Sequence, residues 1–531
     1  MLLKATQKKI KLYCQGKSTI AVTNIQHYRE KPVEFCSEIL DKILTNEQQQ
    51  ILISVIKNPI TLAVAGHAVG KTSVAAWLVL WWVFARGGMA ITTAPTRRQV
   101  QHLLWREIEK AHSNNKEVFG GKLNLGSLTL DAGKGSAIGF TARTTAEDTS
   151  SFQGIHDEDL LLIIDEANAR NLKGVWDGAI ACVTGAGNRL LALGNPTSAG
   201  TEFYRHCLKR SPIEIAVWSH PNVEPYYQEI EIVSGTVAEK IHRLLPGLNP
   251  LELPQKIPGA VSPQWIEEVR ETYGENSIYW KCRLNAQFPS DIDLSVCPES
   301  WFEAAIISDF KLNNSGITIG VDVANGGDEH ALAAIQQGVA FKYHTLPTYG
   351  DGEDIGRLVE EVLSLIKSFP YAIPVTVGID AIGVGAGAVS ELRIKVRADA
   401  DLAGRTIVIV GICWAEKSSK PKQFKNLKAE HHYKLKEKIK TRYLRILLGL
   451  HTEKLRTQLC KIHFAVPDGD SAIQVESRKF TIERLKGNSP DLAHALILAN
   501  SLPPPISGAP NTSIPAPQNL LSEYNSRFTR P

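Results

Sequence analysis

Two α/β regions in tandem, the first wound on a parallel sheet, are the fold class that the sequence predicts. Three observations carry it. From about Thr45 to Pro289, short apolar runs of strand length alternate with helical or loop stretches, as expected of a parallel sheet with both faces covered. A strand, a glycine-containing loop and a helix open that region. A second alternating region runs from about Gly316 to Leu502, after a stretch of mixed polarity.

The bulk properties set limits. A chain of 531 residues is too long for one hydrophobic core, so more than one domain is expected. With 43% hydrophobic and 21% charged residues the composition is that of a soluble protein, and the net charge of +4 announces no nucleic-acid binder. The eight cysteines, Cys14, Cys36, Cys182, Cys207, Cys282, Cys297, Cys413 and Cys460, are scattered without a C-x-x-C pair. That spacing speaks against a zinc ribbon or a disulfide framework and predicts an intracellular, reducing setting. The lysine-rich start lacks the apolar stretch of a secretory signal. The most apolar helical segment, 74–85, is too short to cross a bilayer, so no membrane is expected.

In chain order, residues 1–43 form an N-terminal extension without clear signals. In 44–290, buried strands are expected at Ile60–Ala65, Met89–Thr93, Leu160–Ile164 and Leu190–Leu193. Residues 291–315 read as a linker. In 316–502, strands are expected at Ile317–Val323 and Val375–Ile379, and helices at Ile355–Ser368 and Leu427–Leu447. Residues 503–531, rich in Pro, Ser and Asn, read as a flexible tail.

The strand ITLAVA runs into Ala65-Gly66-His67-Ala68-Val69-Gly70-Lys71-Thr72, a P-loop in its proper setting between strand and helix. Its backbone N–H groups and helix N-terminus suit phosphates. Gly66 and Gly70 let the backbone approach the nucleotide, Lys71 answers the β- and γ-phosphates, and the Thr72 hydroxyl suits Mg²⁺. The first glycine of the motif is replaced by Ala65. A second element supports it: LLLII ends in Asp165-Glu166, with Asp165 for the metal and Glu166 for the attacking water. Asp-Glu as a plain helix cap fits that setting less well. Asn195 or Thr197, after the strand LLALG, suits a sensor of the γ-phosphate. Gln48 suits an adenine contact or, equally well, a capping box begun at Thr45. Arg97 and Arg98 fit DNA contacts or an arginine finger, or two solvated arginines on a first helical turn.

The second region carries acids at element ends: Asp322 in GVDVA, then Gly326-Gly327-Asp328-Glu329; Asp380 in VGID; and Asp491 with His494 three residues on in SPDLAHAL. Converging carboxylates suit hard divalent cations, and two such ions suit phosphodiester cleavage. Asp328 as a turn residue and Asp491 as a helix-start acid are ordinary alternatives, whereas Asp322 inside an apolar strand is costly without a partner. Between Lys417 and Arg445 stand eleven Lys or Arg against Glu430 and Glu437. Leu427, His431, Leu435, Ile439 and Tyr443 recur every fourth residue, so a helix with a basic outer face is expected there, suited to DNA phosphates or simply solvated.

The segments AVAGHAVGKT, TTAPTRRQV, SFQGIHDEDLLLIIDEAN, LLALGNPT, GVDVANGGDEHAL, VGIDAIGVGAG, FKNLKAEHHYKL and SPDLAHAL, in this order, resemble the large terminase subunit of tailed bacteriophages or prophages. The resemblance spans roughly Leu44 to Ala499. It implies an N-terminal P-loop NTPase motor that pumps double-stranded DNA into a procapsid, then a C-terminal RNase H-like nuclease that cuts the concatemer. It implies ATP and Mg²⁺, with Mn²⁺ an option at the nuclease. Lys71, Thr72, Asp165 and Glu166 would form the ATPase centre, and Asp322, Asp380 and Asp491 the nuclease ligands. The family usually has Asp where His494 stands, so either Asp491 or His494 is left as the main third ligand. A small terminase subunit, a portal ring, a homo-oligomeric ring and the cytoplasm of an infected bacterium are implied too. Competing expectations are a helicase-like repair ATPase with an inactive RNase H-like clamp, and an assembly adaptor that docks to a portal.

Overall fold

The computed structural model describes residues 25–142, 157–170, 172–234, 237–275, 277–324, 328–465 and 472–503. Most of the N-terminal extension, the SFQG segment, Gly326-Gly327 and the Pro-rich tail lie outside the described residues. The chain divides into two compact units, 1–289 and 290–531. Among the described residues no helix is long and apolar enough to cross a membrane.

Unit 1 is built on an eight-stranded sheet of order β3-β4-β5-β2-β6-β7-β1-β8. Its strands are β1 (Ile60–Ala65), β2 (Met89–Ala94), β3 (Lys122–Asn124), β4 (Thr129–Asp131), β5 (Ser136–Thr141), β6 (Leu160–Ile164), β7 (Arg189–Gly194) and β8 (Ile213–Ile215). From β5 to β8 every pairing is parallel. All five residues of β6 are buried, as a strand covered on both faces requires. The P-loop helix Lys71–Trp81 leaves β1 and is buried from Val74 to Trp81, so the apolar segment that follows the loop is core. One strand, β7, separates the P-loop strand from β6. A two-stranded ribbon, β9 (Tyr227–Ser234) and β10 (Val237–Leu244), stands apart from the sheet.

Unit 2 has a seven-stranded sheet of order β11-β17-β14-β13-β12-β15-β16. The strands are β11 (Ile306–Ile307), β12 (Ile317–Asp322), β13 (His330–Gln336), β14 (Val339–Leu346), β15 (Val375–Asp380), β16 (Ile407–Ile412) and β17 (Arg445–Leu447). The antiparallel meander β12-β13-β14, extended in parallel by β15 and β16 on the β12 side, is the RNase H-like arrangement. The helix Asp491–Ser501 crosses one face, buried along almost its whole length. A glycine makes that crossing possible: a Cβ at Gly320 would stand 2.0 Å from the Ala495 carbonyl oxygen and 2.3 Å from the Ala499 nitrogen. The helix Asp354–Lys367 supplies Leu358, Val359, Val362, Leu363, Leu365 and Ile366 to the core between sheet and helices.

Two expectations are corrected here. Residues 291–315 are no linker: Phe302 and Ala305 are buried, and Ile306-Ile307 adds a strand to the sheet beside β17. The helix expected over Leu427–Leu447 stops at Lys440. Arg442 takes a left-handed φ of 57°, and Arg445–Leu447 pairs with β14 and β11 instead. Tertiary sheet pairing outcompetes the local helical period there. The expected basic outer face is formed only in part, by the exposed Lys434 and Lys440. Lys436 is buried, with its ammonium on the carbonyls of Asp293 and Ser295, and Lys438 reaches Asn500 Oδ1. Exposed lysines sit mainly in the preceding loop, at Lys417, Lys420, Lys422 and Lys425.

That loop is tied down by Glu430, which is buried and accepts from Ser418 Oγ, Ser419 N and Ser419 Oγ while pairing with Lys434. Burial opposes the carboxylate, but Lys434 and the two serines prevail and hold its pKa at about 2. A depressed folded-state pKa stabilises the fold above the unfolded value and loses that contribution as pH falls through the folded one. Wild-type stability should therefore drop by on the order of 3 kcal/mol between roughly pH 5 and pH 2 through this group. Denaturant titrations of Glu430→Gln across that window should show a correspondingly flatter pH dependence. An unchanged slope would refute the assignment.

Candidate functional site

Unit 1 concentrates buried charge at the C-terminal ends of β1 and β6. Strand β1 stays extended through Ala65, which pairs with Ile215 of β8. A glycine is therefore not required there. It is required one residue on, where a Cβ on Gly66 would stand 2.7 Å from the Arg283 carbonyl oxygen. His67 N donates to that same carbonyl at 2.7 Å and Gly66 N to Ile215 O at 2.8 Å. Gly70 then turns left-handed, with φ of 84°, and starts the helix at Lys71.

Lys71 Nζ lies 2.7 Å from Glu166 Oε1, both side chains largely shielded from water. Thr72 Oγ1 donates to Asp165 Oδ2 at 3.2 Å, and Glu166 N donates to Asp165 Oδ1 at 3.0 Å. Burial raises the Asp165 pKa to about 6, despite Lys71. Burial also opposes the Lys71 ammonium, but Glu166 and Asp165 outweigh it and its pKa is raised. Lysine, threonine hydroxyl and two carboxylates thus meet at a helix N-terminus, a donor set that fits a triphosphate with one hard cation shared by Thr72 and Asp165.

Two sequence assignments take a different form. Gln48 forms the capping box, its Oε1 accepting from Thr45 N, and its Nε2 donates to Val69 O of the P-loop. Gln48 is a brace under the loop, which explains why a Cβ on Gly70 would meet its Nε2 at 2.6 Å. Asn195 also holds the loop, its Nδ2 donating to Ala65 O and Gly66 O at 2.7 and 3.0 Å. Asn168, which sequence reasoning missed, donates to Asn195 O at 2.8 Å and so connects the strand carrying Asp165 to the P-loop. Its place directly after Asp165-Glu166-Ala167 was the available signal. Arg97 and Arg98 are exposed, Arg97 bonding Gln101 Oε1.

In unit 2, Asp322 and Asp380 end β12 and β15, adjacent parallel strands in which Val321 pairs with Ile379. Asp491 enters from the helix over Gly320, and His494, one turn on, places Nδ1 3.4 Å from Asp322 Oδ2. Gln458 caps that helix, its Oε1 accepting from Leu492 N and Ala493 N and its Nε2 donating to Ser489 O. Burial raises the pKa of Asp322 to about 7 and of Asp491 to about 6, and raises Asp380 as well. Burial, with Lys428 and Arg478 nearby, keeps His494 neutral. Lys428, which sequence reasoning counted only among surface lysines, is half-buried, and its charge acts on both Asp322 and Asp380. A cavity of about 450 Å³ adjoins Asp491, lined also by Asp328, Lys454, Gln458, Asn488 and Ser489.

Among the described residues no three His, Cys, Asp or Glu side chains stand close enough to enclose a metal ion as they are. The donor chemistry nonetheless fits one: the buried Asp491 and the partly buried Asp322 and Asp380, all with raised pKa values, are groups whose ionised forms a divalent cation would restore.

No family model matches the chain, and no curated protein matches it. Among solved structures, the large terminase of bacteriophage HK97 aligns at 12% identity, over 86% of this chain and 95% of that one, with a TM-score of 0.35. The large terminase of a thermophilic bacteriophage aligns at 11% identity over 86% and 98%, with a TM-score of 0.36. The nuclease domain of the large terminase subunit gp2 of bacterial virus Sf6 aligns at 17% identity over 40% and 100%, with a TM-score of 0.33.

The packing at the loop makes a direct test. Gly66→Ala forces a Cβ against the Arg283 carbonyl and should weaken ATP binding at least about tenfold, roughly 1.4 kcal/mol. Ala65→Gly, which restores the usual glycine, should leave binding unchanged. Titration with a fluorescent ATP analogue distinguishes the two, and equal behaviour of the variants would contradict the geometry.

Proposed function

We propose that this chain is the motor and nuclease subunit of a viral DNA-packaging machine. ATP hydrolysis in unit 1 would drive double-stranded DNA into a procapsid, and a two-metal endonuclease in unit 2 would cut the concatemer. The observation that carries this reading is the pairing, in one chain, of a P-loop centre built on Lys71 and Glu166 with a carboxylate centre built on Asp322, Asp380 and Asp491. The ordered motif set that resembles large terminases supports the assignment.

Mg²⁺ bound with the triphosphate supplies charge neutralisation and alignment of the phosphates. Lys71 is held by Glu166 in this state, so binding ATP means exchanging that carboxylate for phosphate oxygens. The exchange frees Glu166 to orient and deprotonate the attacking water. Asn195 and Gln48 keep the loop backbone fixed meanwhile. In unit 2, bound Mg²⁺ or Mn²⁺ would supply Lewis acidity toward the attacking and leaving oxygens. Asp322, Asp380 and Asp491 would hold these ions, with neutral His494 as a further nitrogen donor. Lys428 beside them would answer the scissile phosphate. DNA contacts would be to the backbone and independent of sequence, with the exposed lysines of 417–425 available for them. The partners consistent with this role are a small terminase subunit, a portal ring and further copies of the chain in a ring, within the cytoplasm of an infected bacterium.

Plasmid nicking in Mg²⁺ or Mn²⁺ should vanish in Asp322→Ala and survive Lys71→Ala, while ATPase activity should show the reverse. A wild-type protein that hydrolyses ATP yet never cuts DNA with any divalent metal would end the nuclease assignment. Asp491→Ala should abolish nicking. His494→Ala should retain Mg²⁺-supported nicking and lose preferentially the Mn²⁺-supported rate, because imidazole favours the softer ion. Equal loss with both metals in His494→Ala would make His494 a ligand on a par with the acids.

A further inference from the structure

Beside His494 stands a cluster of rings that the cutting chemistry does not use. His432 lies on the helix Leu427–Lys440 and is fully buried. Its ring meets that of His494 with centroids 5.8 Å apart and planes at 72°. Trp414 packs edge-to-face on both, with centroids at 5.4 Å from His432 and 5.1 Å from His494. His432 Nδ1 lies 2.7 Å from the carbonyl oxygen of Lys428, one turn back on the same helix. A carbonyl only accepts, so Nδ1 carries the proton. Full burial disfavours the charged ring, which leaves Nε2 as an unprotonated lone pair. Nε2 is buried and has no hydrogen-bond partner among the described residues, a costly state for a polar atom. One ring nitrogen tied to a main-chain carbonyl, the other bare, is how a protein prepares an imidazole for a metal ion. His494 repeats the arrangement with a carboxylate as the orienting group, since its Nδ1 faces Asp322 Oδ2 at 3.4 Å. Two imidazoles on one ion, each at about 2.0–2.1 Å, place their ring centroids roughly 5–6 Å apart. The observed separation of 5.8 Å falls in that interval.

We infer that His432 and His494 form a two-imidazole site, at the edge of the carboxylate centre, for a borderline divalent cation of the Zn²⁺ type. The inference rests on the metal-centre reading of unit 2 for the part that His494 plays in it. Imidazole nitrogen suits such ions, whereas Mg²⁺ keeps to the carboxylate oxygens. Among the described residues no third His, Cys, Asp or Glu stands close enough to join the pair, so water completes the shell. Trp414 Nε1, also buried and unpartnered, is a donor that cannot bind a cation but suits one of those waters. The Lys428 ammonium, 5.3 Å from the Trp414 ring centroid, opposes a cation here, and the charges of Asp322 and Asp380 offset it.

The test uses Zn²⁺ as the probe, on the full chain in excess Mg²⁺. Calorimetry gives the affinity, and zinc K-edge X-ray absorption of protein loaded with one equivalent counts the imidazole ligands. The wild-type spectrum should show two imidazoles. His432→Phe, which keeps a ring against Trp414, and His494→Ala should each weaken zinc binding at least about tenfold. Each variant's spectrum should lose at least one imidazole. Wild-type zinc affinity in His432→Phe, or fewer than two imidazoles in the wild type, would overturn the site and leave His432 as a packing residue. If His432→Phe does not fold, the wild type and His494→Ala decide: two imidazoles that fall to one or none support the site, and a spectrum unchanged in His494→Ala overturns it. A wild type that shows the two imidazoles yet never nicks DNA ends the nuclease reading and keeps the site. One that nicks DNA without a two-imidazole zinc ends the site and keeps the nuclease.

Discussion

Lys71 and Glu166 meet at 2.7 Å with little access to water, and much of unit 1 is arranged to keep that pair, and Asp165 beside it, matched. Removing one partner of such a pair strands the other charge, a cost of about 3–5 kcal/mol. The site is therefore stable only while its charges are balanced, by one another or by a ligand. The parallel sheet supplies the positions. Strand β6 ends in the two acids, β1 ends in the loop, and β7 between them ends in Asn195, whose amide holds the loop carbonyls. Asn168 joins the acid-bearing turn to that asparagine. The chain of hydrogen bonds from Glu166 to the P-loop is thus covered by neighbours on adjacent strand ends, and a change of partner at Lys71 is felt directly by groups that shape the loop.

Unit 2 uses the same geometric device with the opposite charge balance. Adjacent parallel strands end in Asp322 and Asp380, and Gly320 admits the helix that brings Asp491 and His494 over them. The acids are buried more deeply than their cations can compensate, so all three have raised pKa values. The two centres therefore differ in what they ask of a ligand. The first holds a lysine already paired with carboxylate, so an anion there has to replace that partner. The second holds acids in want of positive charge and is suited to divalent cations before it is suited to a phosphodiester.

The strand ends were legible in the sequence because buried strands in an α/β protein are continuous apolar runs, and an acid closing such a run stands out. LLLII before Asp165 and VTVGI before Asp380 are of this kind. Gly66 was legible as part of a motif, but the reason for it was not, since Arg283 lies more than two hundred residues away. Gln48 carried two equal readings from sequence; the cap is present in its bond to Thr45, and the bond to Val69, which braces the loop, was not foreseen. The helix after Asn426 shows the limit most clearly. Its five lysines, between the apolar positions at fourfold spacing, look like a solvated face. Only the fold reveals that Lys436 is satisfied by two carbonyls from residues 293 and 295, that Glu430 anchors a loop, and that Lys428 is turned toward the acids. Periodicity reports which face a residue occupies, not what waits opposite it.

Lys428 also bears on how the second centre stays folded before a metal arrives. Three carboxylates gathered at one sheet edge repel one another, and protonation is one remedy, visible in Asp322 with its pKa near neutrality, raised chiefly by burial, at about 7. A nearby ammonium is the other. Burial depresses the Lys428 pKa while Asp322 and Asp380 raise it, so the lysine and the acids each favour the other's charged form. A divalent cation entering the site carries twice the charge of Lys428, favours the ionised acids and repels the ammonium. Metal binding should thus release protons from the acids. The charge on Lys428 thus offsets that of Asp322 and Asp380, a role that neither the helix period nor the motif could disclose.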